Sequence, residues 1–275
     1  MATSFTQFKI TQPGSGYWRV TFSNPPINLI NPETILELQA LVGLIESDQD
    51  LRVVVFDSAH PDFFFSRYDL ARAAETPVAP GPTGLPAWTD LTTRLSQASA
   101  VSIALIRGRT RGGGSEFSLA CDMRFASIEK AILGQPEVPA GVLPGGGAIE
   151  RLPALAGRAR ALEIILGGDD FDALTAERYG WVNRALPDAE LDGFVDQLAR
   201  RIASFDGQAL SEAKRLVNRH SLPEPQDLIE SLETFLKATT WPSTQARGVK
   251  IRERAIGLGL EFELRMGHHL GNVQP

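Results

Sequence analysis

Val101-Ser102-Ile103-Ala104-Leu105-Ile106-Arg107-Gly108-Arg109-Thr110-Arg111-Gly112-Gly113-Gly114-Ser115-Glu116 is the stretch on which the fold of this chain turns. The apolar run 101–106 has the pattern of a strand covered on both faces. Three glycines then make a tight turn, and the apolar segment through Ala120-Cys121-Asp122 reads as a buried helix. Glycines at such a junction let backbone come close to a ligand. The free N–H groups at the helix start, together with its dipole, favour a negative charge developing there. Glu116, in the first helical turn, adds a proton carrier at the same spot. Backbone donors beside a carboxylate are the parts needed to stabilise an enolate and move a proton.

Working outward, residues 17–22 alternate as a strand and end at the turn Asn24-Pro25-Pro26. Pro32 opens a helix capped by Asn31, with Ile35, Leu38, Leu41, Val42 and Ile45 on one face. Residues 52–57 form a continuous apolar strand, 76–86 a Pro/Gly loop expected to be mobile, and 91–98 a helix. Short strands are expected at 124–127 and 131–134, followed by a shaped Gly/Pro loop to Gly147. Helices follow at 148–152, 158–166 and 175–180. Beyond Asp188 the chain reads as helical throughout, at 189–204, 208–219, 225–239 and 244–264. The order predicts an α/β core over 1–204 and a helical C-terminal region over 205–275.

Composition narrows the function classes. A chain of 275 residues, 43% hydrophobic and 22% charged, suits one large domain or one domain with an appendage. A net charge of −6 gives no electrostatic case for nucleic acid. Cys121 is the only cysteine, so no intrachain disulfide forms; its apolar setting reads as a small buried residue in a reducing, cytoplasmic protein. His60, His220, His268 and His269 lack metal-ligand spacing, and no metal site is expected. The start Met1-Ala2-Thr3-Ser4-Phe5 has no signal-peptide pattern, and no apolar stretch is long enough to span a membrane.

Four segments point the same way: Asn24-Pro25-Pro26-Ile27-Asn28-Leu29, residues 64–70, residues 112–122, and Gly134-Gln135-Pro136-Glu137 through Pro144-Gly145-Gly146-Gly147. A fifth, 171–183, follows in register. In this order and spacing they resemble the crotonase (enoyl-CoA hydratase/isomerase) superfamily over roughly residues 8–220. The resemblance implies an α/β fold, a spiral of ββα turns with a helical C-terminal region that helps build a homotrimer or a dimer of trimers. It implies acyl-CoA thioester substrates, with coenzyme A part of the substrate and no separate cofactor. It also implies an enolate whose oxygen is held by two backbone N–H groups, matched here to Gly113 and Ser66. Glu116 and Glu137 match the paired carboxylates, twenty-one residues apart and one more than the family's usual spacing. The extra residue fits the turn at Ile128-Glu129. Ser66, Arg67, Tyr68, Asp69, Gly112, Gly113 and Pro136 are the expected substrate contacts.

The departures from the family pattern are specific. Arg67 and Tyr68 stand where small residues are usual; they either reshape the thioester pocket or turn outward. Arg67 either binds a substrate carboxylate or phosphate or makes an ion pair with Asp69 or another acid. Phe63-Phe64-Phe65 is either core or an aromatic acyl wall. Arg107, Arg109 and Arg111 serve either coenzyme A phosphates or a charged surface or interface. The tail beyond Arg252 has no family counterpart, and mixed charge of this kind commonly packs on a neighbouring subunit. Three functions compete: hydration of a 2-enoyl-CoA, another crotonase reaction (isomerisation, thioester hydrolysis or C–C cleavage), and a non-catalytic acyl-CoA-binding trimer. A Rossmann site is excluded, because Gly112-Gly113-Gly114 lacks the G-x-G-x-x-G spacing.

Overall fold

The computed structural model describes residues 5–273. Strands β1 (Phe8–Gly14), β2 (Tyr17–Phe22), β3 (Val53–Ser58), β4 (Val101–Ile106), β6 (Met123–Ser127) and β9 (Arg184–Leu186) form one sheet in that spatial order. Only the β1–β2 pair is antiparallel. A second sheet joins β5 (Arg109–Arg111), β7 (Ile132–Gly134) and β8 (Asp170–Asp172). The chain climbs both sheets at once. From β4 it steps to β5 and then to helix α3 (Gly113–Ala120); from β6 it steps to β7 and then to α4 (Ala148–Ala156). The turn before these is the same in outline: β3, then Phe63 in a parallel bridge to Arg109, then α2 (Ala87–Gln97). This is the spiral of ββα turns, and it stacks the starts of α2, α3 and α4 on one side of the sheets.

Local chemistry sets these elements. Helix α1 (Pro32–Ser47) begins with a capping box between Asn31 and Thr34 and buries Ile35, Leu38, Leu41, Val42 and Ile45. Phe63, Phe64 and Phe65 are fully buried, which decides for core. Phe65 stacks on Phe22 at 4.3 Å and on Phe117 of α3 at 4.4 Å, tying the segment before Ser66 to α3. The loop 76–86 is anchored: buried Asp90 accepts from the backbone N–H of Thr83 at 2.9 Å and from its hydroxyl at 2.6 Å.

Helices α5 (Arg158–Gly167) and α6 (Ala173–Tyr179) precede β9, and α7 (Asp188–Ala203) covers the other face of the large sheet. Then come α8 (Gly207–Asn218), α9 (Pro225–Ala238), α10 (Pro242–Leu258), α11 (Leu260–Leu264) and α12 (Met266–Gly271). The expected helix 244–264 is therefore two helices. Gly259, at φ +56°, breaks it and reverses the chain. The tail then folds onto its own chain, burying Phe262, Met266 and Leu270. None of the helices is long and apolar enough to cross a membrane among the described residues.

Candidate active site

Gly112 caps α3 with φ +48°, a conformation that favours glycine, and its carbonyl accepts the Glu116 N–H at 2.8 Å. A side chain at Gly112 would lie 2.5 Å from Glu137 Oε1 and 3.9 Å from Pro136 Cδ, so Pro136 and Glu137 sit directly over this turn. Glu116 is 4% exposed. Its Oε1 accepts from the backbone N–H of Gly146 at 2.7 Å and of Ala148 at 3.3 Å. These amides open α4, so the Glu116 carboxylate lies at one helix N-terminus while its backbone lies at another.

The two acids have opposite surroundings. Burial pushes the Glu116 carboxyl up to about 7, against the opposing pull of the two amides and nearby Arg151. Glu137 is raised well above the ordinary range by burial and then by the Glu116 charge, and its Oε2 is buried without a hydrogen-bond partner. When two acids are pushed apart this way, the one with donors holds the charge and the other holds the proton. Glu116 is placed to act as carboxylate and Glu137 as acid.

The expected donor Ser66 is corrected by the backbone. Its N–H donates to the Asn28 carbonyl at 2.9 Å, so it has no free proton to offer. Tyr68 pairs with Ile30 in a parallel bridge, in which Ile30 N–H donates to Arg67 O and Asp69 N–H to Ile30 O, both at 2.8 Å. Such a bridge spends the groups of the flanking residues. Tyr68's own N–H therefore points to the other side of the segment, and the described residues offer it no acceptor. That nitrogen lies 3.7 Å from where a Gly113 Cβ would be. The facing amides are those of Tyr68 and Gly113.

The side chains of three expected contacts point elsewhere. The Asp69 carboxylate caps the 3₁₀ turn Leu70–Glu75 through Ala71 N–H at 3.1 Å. Arg67 pairs with Glu263 of α11, not with Asp69, and Tyr68 Oη bonds Thr76 Oγ1, so neither side chain is aimed at the turn. Of the arginine triplet, Arg107 pairs with Asp188 at 2.8 Å and Asp192 at 2.7 Å. Arg111, 1% exposed, pairs with Asp170 at 2.6 Å, and Arg109 Nε donates to Leu264 O at 2.9 Å. All three are engaged within the chain. Cys121 is buried, which pushes its thiol up to about 12 and leaves it inert.

The sequence did not flag Trp88, Arg151 or Phe235. Trp88 Nε1 donates to Gly146 O at 3.3 Å, and a side chain at Gly146 would strike both that indole and Glu116 Oε2. A side chain at Gly145 would meet Phe235 Cβ at 2.6 Å, and one at Gly147 would strike Arg151 Nη1. The second glycine triplet was the available signal: three glycines in a row mark a crowded turn, but not what crowds it.

The family model for enoyl-CoA hydratase/isomerase matches residues 14–251. The chain belongs to that family, and its fold is the crotonase fold. It is 31% identical over 201 residues to a short-chain-enoyl-CoA hydratase of Clostridium acetobutylicum, covering 73% of this chain and 77% of that one. A solved structure described as "a putative enoyl-CoA hydratase" from Streptomyces avermitilis is 45% identical, with a TM-score of 0.93 over 100% of both chains. Pseudomonas aeruginosa DspI is 28% identical, with a TM-score of 0.72 over 87% of this chain and 99% of that one.

Proposed function

We propose that this chain hydrates 2-enoyl thioesters of coenzyme A to 3-hydroxyacyl thioesters. The observation that carries the reading is the pair Glu116 and Glu137, one acid with two backbone donors and one with none, at the turn where the Gly113 and Tyr68 amides face each other. In this reading the thioester oxygen accepts from both amides. Glu116 takes a proton from water as its oxygen attacks the β-carbon. The π electrons of the double bond move to the α-carbon and thioester, forming an enolate held by the two N–H groups. Glu137 then gives its proton to the α-carbon, on the face from which water was added. Loss of one such donor costs about 3–4 kcal/mol of transition-state stabilisation.

The test is hydration of crotonyl-CoA and longer 2-enoyl-CoAs, followed by loss of conjugated-thioester absorbance. Turnover is expected; inactivity across chain lengths rejects the reading. A second reading, double-bond isomerisation, draws on Glu137 alone, since a single unpartnered acid suffices to shuttle one proton. Glu116→Gln separates the two: it abolishes hydration and spares isomerisation.

The same reading extends to assembly as a homotrimer or a dimer of trimers. Its support is apolar surface on the C-terminal helices. Helix α10 buries none of its residues within the chain, and Val249, Ile256, Leu236 and Trp241 are exposed.

A further inference from the structure

Two departures from the family pattern, the arginines at 67, 109 and 111 and the tail beyond Gly259, meet at one place. Glu263 of α11 receives Arg67 Nε on its Oε2 at 3.1 Å and Arg67 Nη2 on its Oε1. These side chains are 23% and 11% exposed, so the pair is largely out of water. Arg67 Nη1 also donates to Tyr68 O at 3.1 Å. The peptide before the Tyr68 α-carbon is therefore held by Ile30, and the one after it by Ile30 through Asp69 N–H and by the Arg67 guanidinium on Tyr68 O. Glu263 is what fixes that guanidinium.

The backbone of the same residue reaches the other donor segment. Arg111 Nη1 donates to Glu263 O at 2.8 Å, and Arg111 N–H donates to Ser66 O at 2.7 Å. Arg111 lies two residues before Gly113 and is locked by Asp170, whose Oδ2 also accepts the Gly267 N–H at 3.3 Å. Glu263 thus touches both segments that carry the facing amides, through its side chain on one and its carbonyl on the other. Phe262 and Met266, on either side of it, are buried and hold it in place.

We propose that Glu263 is a positioning residue for the thioester-binding amides. Acting through Arg67, it clamps the Tyr68–Asp69 peptide and so sets the orientation of Tyr68, whose own N–H lies against Gly113. This rests on the hydratase reading above, because the role assigned is to align donors used on a thioester oxygen. It gives the tail a catalytic consequence without contact to substrate.

The test compares wild type, Glu263→Gln, Arg67→Met and the double variant as full-length protein. For a turned-over enoyl-CoA, Glu263→Gln is expected to lower kcat about 10- to 100-fold with KM nearly constant, the signature of donors slightly out of place. The double variant is expected to be no worse than Arg67→Met, since Glu263 acts through that side chain. A bound cinnamoyl thioester, red-shifted by carbonyl polarisation in wild type, loses most of that shift in Glu263→Gln. An unchanged kcat and red shift overturns the proposal, as does strict additivity in the double variant. Amide exchange over residues 64–69 is a readout independent of turnover. Faster exchange in Glu263→Gln supports the clamp, and unchanged exchange overturns it. If wild type turns over no thioester, the hydratase reading fails while the exchange result still tests the clamp.

Discussion

The environments of Glu116 and Glu137 dictate distinct pH behaviour. Activity is expected to rise as Glu116 loses its proton near pH 7, and to fall at higher pH as Glu137 loses its own. The kcat/KM profile of wild type checks this. Glu116→Gln removes the rising limb, and either Gln variant lowers kcat by about 10²- to 10⁴-fold. Stability follows the same groups. The Glu116 pKa is about 7 when folded against 4.5 for an unperturbed glutamate, so the folded state binds the proton more tightly. Stability therefore falls as pH rises from about 4.5 through about 7, and Glu116→Gln flattens that fall. Urea midpoints from pH 4 to 8 measure it. Glu116 and Gly113 were legible because strand, turn and helix all lie within one short segment. Tyr68 was not. Which amide of 66–69 is free depends on Asn28 and Ile30, partners nearly forty residues away, and no local pattern encodes that choice.

The glycine turns separate folding from chemistry at the scale of the element. A methyl at Gly114 would strike the carbonyl of Phe65, a backbone atom with nowhere to go. Gly114→Ala is expected to cost about 1–3 kcal/mol of stability, read from the denaturant midpoint. A methyl at Gly146 would strike the end of the Glu116 side chain and the Trp88 indole, both of which can shift. Gly146→Ala is expected to fold with a nearly wild-type midpoint and to lose most activity, because Glu116 leaves its two donors. Equal loss of stability in both variants contradicts the distinction. Helix starts and faces were readable where capping residues and apolar period agree, as at Asn31 and α1; α2, expected from residue 91, starts at Ala87 after Pro86, with no side-chain cap to mark it. Gly259 was not readable as a break, because glycine within a charged helical pattern is tolerated as often as it interrupts; its positive φ decides.

The whole molecule balances an unusual number of arginines through internal carboxylates and carbonyls. Arg19, Arg67, Arg72, Arg94, Arg107 and Arg111 each pair with an acid of the same chain. The sequence offered phosphate binding or interface charge for the 107–111 triplet. Arg107 pairs with acids of α7, and for Arg109 and Arg111 the third outcome, docking of the chain's own tail, required knowing that Gly259 turns the chain back. With one side of α10 packed through Ile251 and Ala255 and the other exposed, association is expected to remove Ile256 and Val249 from water. Light scattering on the purified protein is expected to give a multiple of three chains, and Ile256→Glu to shift it toward monomer.

The turn Gly145–Gly147 also bears on redesign. Each of its glycines faces a different neighbour: Phe235 from α9, Glu116 with Trp88, and Arg151 from α4. The turn itself accepts no larger residue without losing one of them, so its own sequence offers no route to a new specificity. Phe235 and Trp88 sit on separate helices and carry no proton in the reaction. Trimming Trp88 opens volume beside the Glu116 carboxylate, and trimming Phe235 opens it beside Gly145, while the hydrogen bonds from Gly146 and Ala148 to Glu116 stay in place. Directed variation of acyl preference belongs at those two aromatic positions, with the glycines held constant.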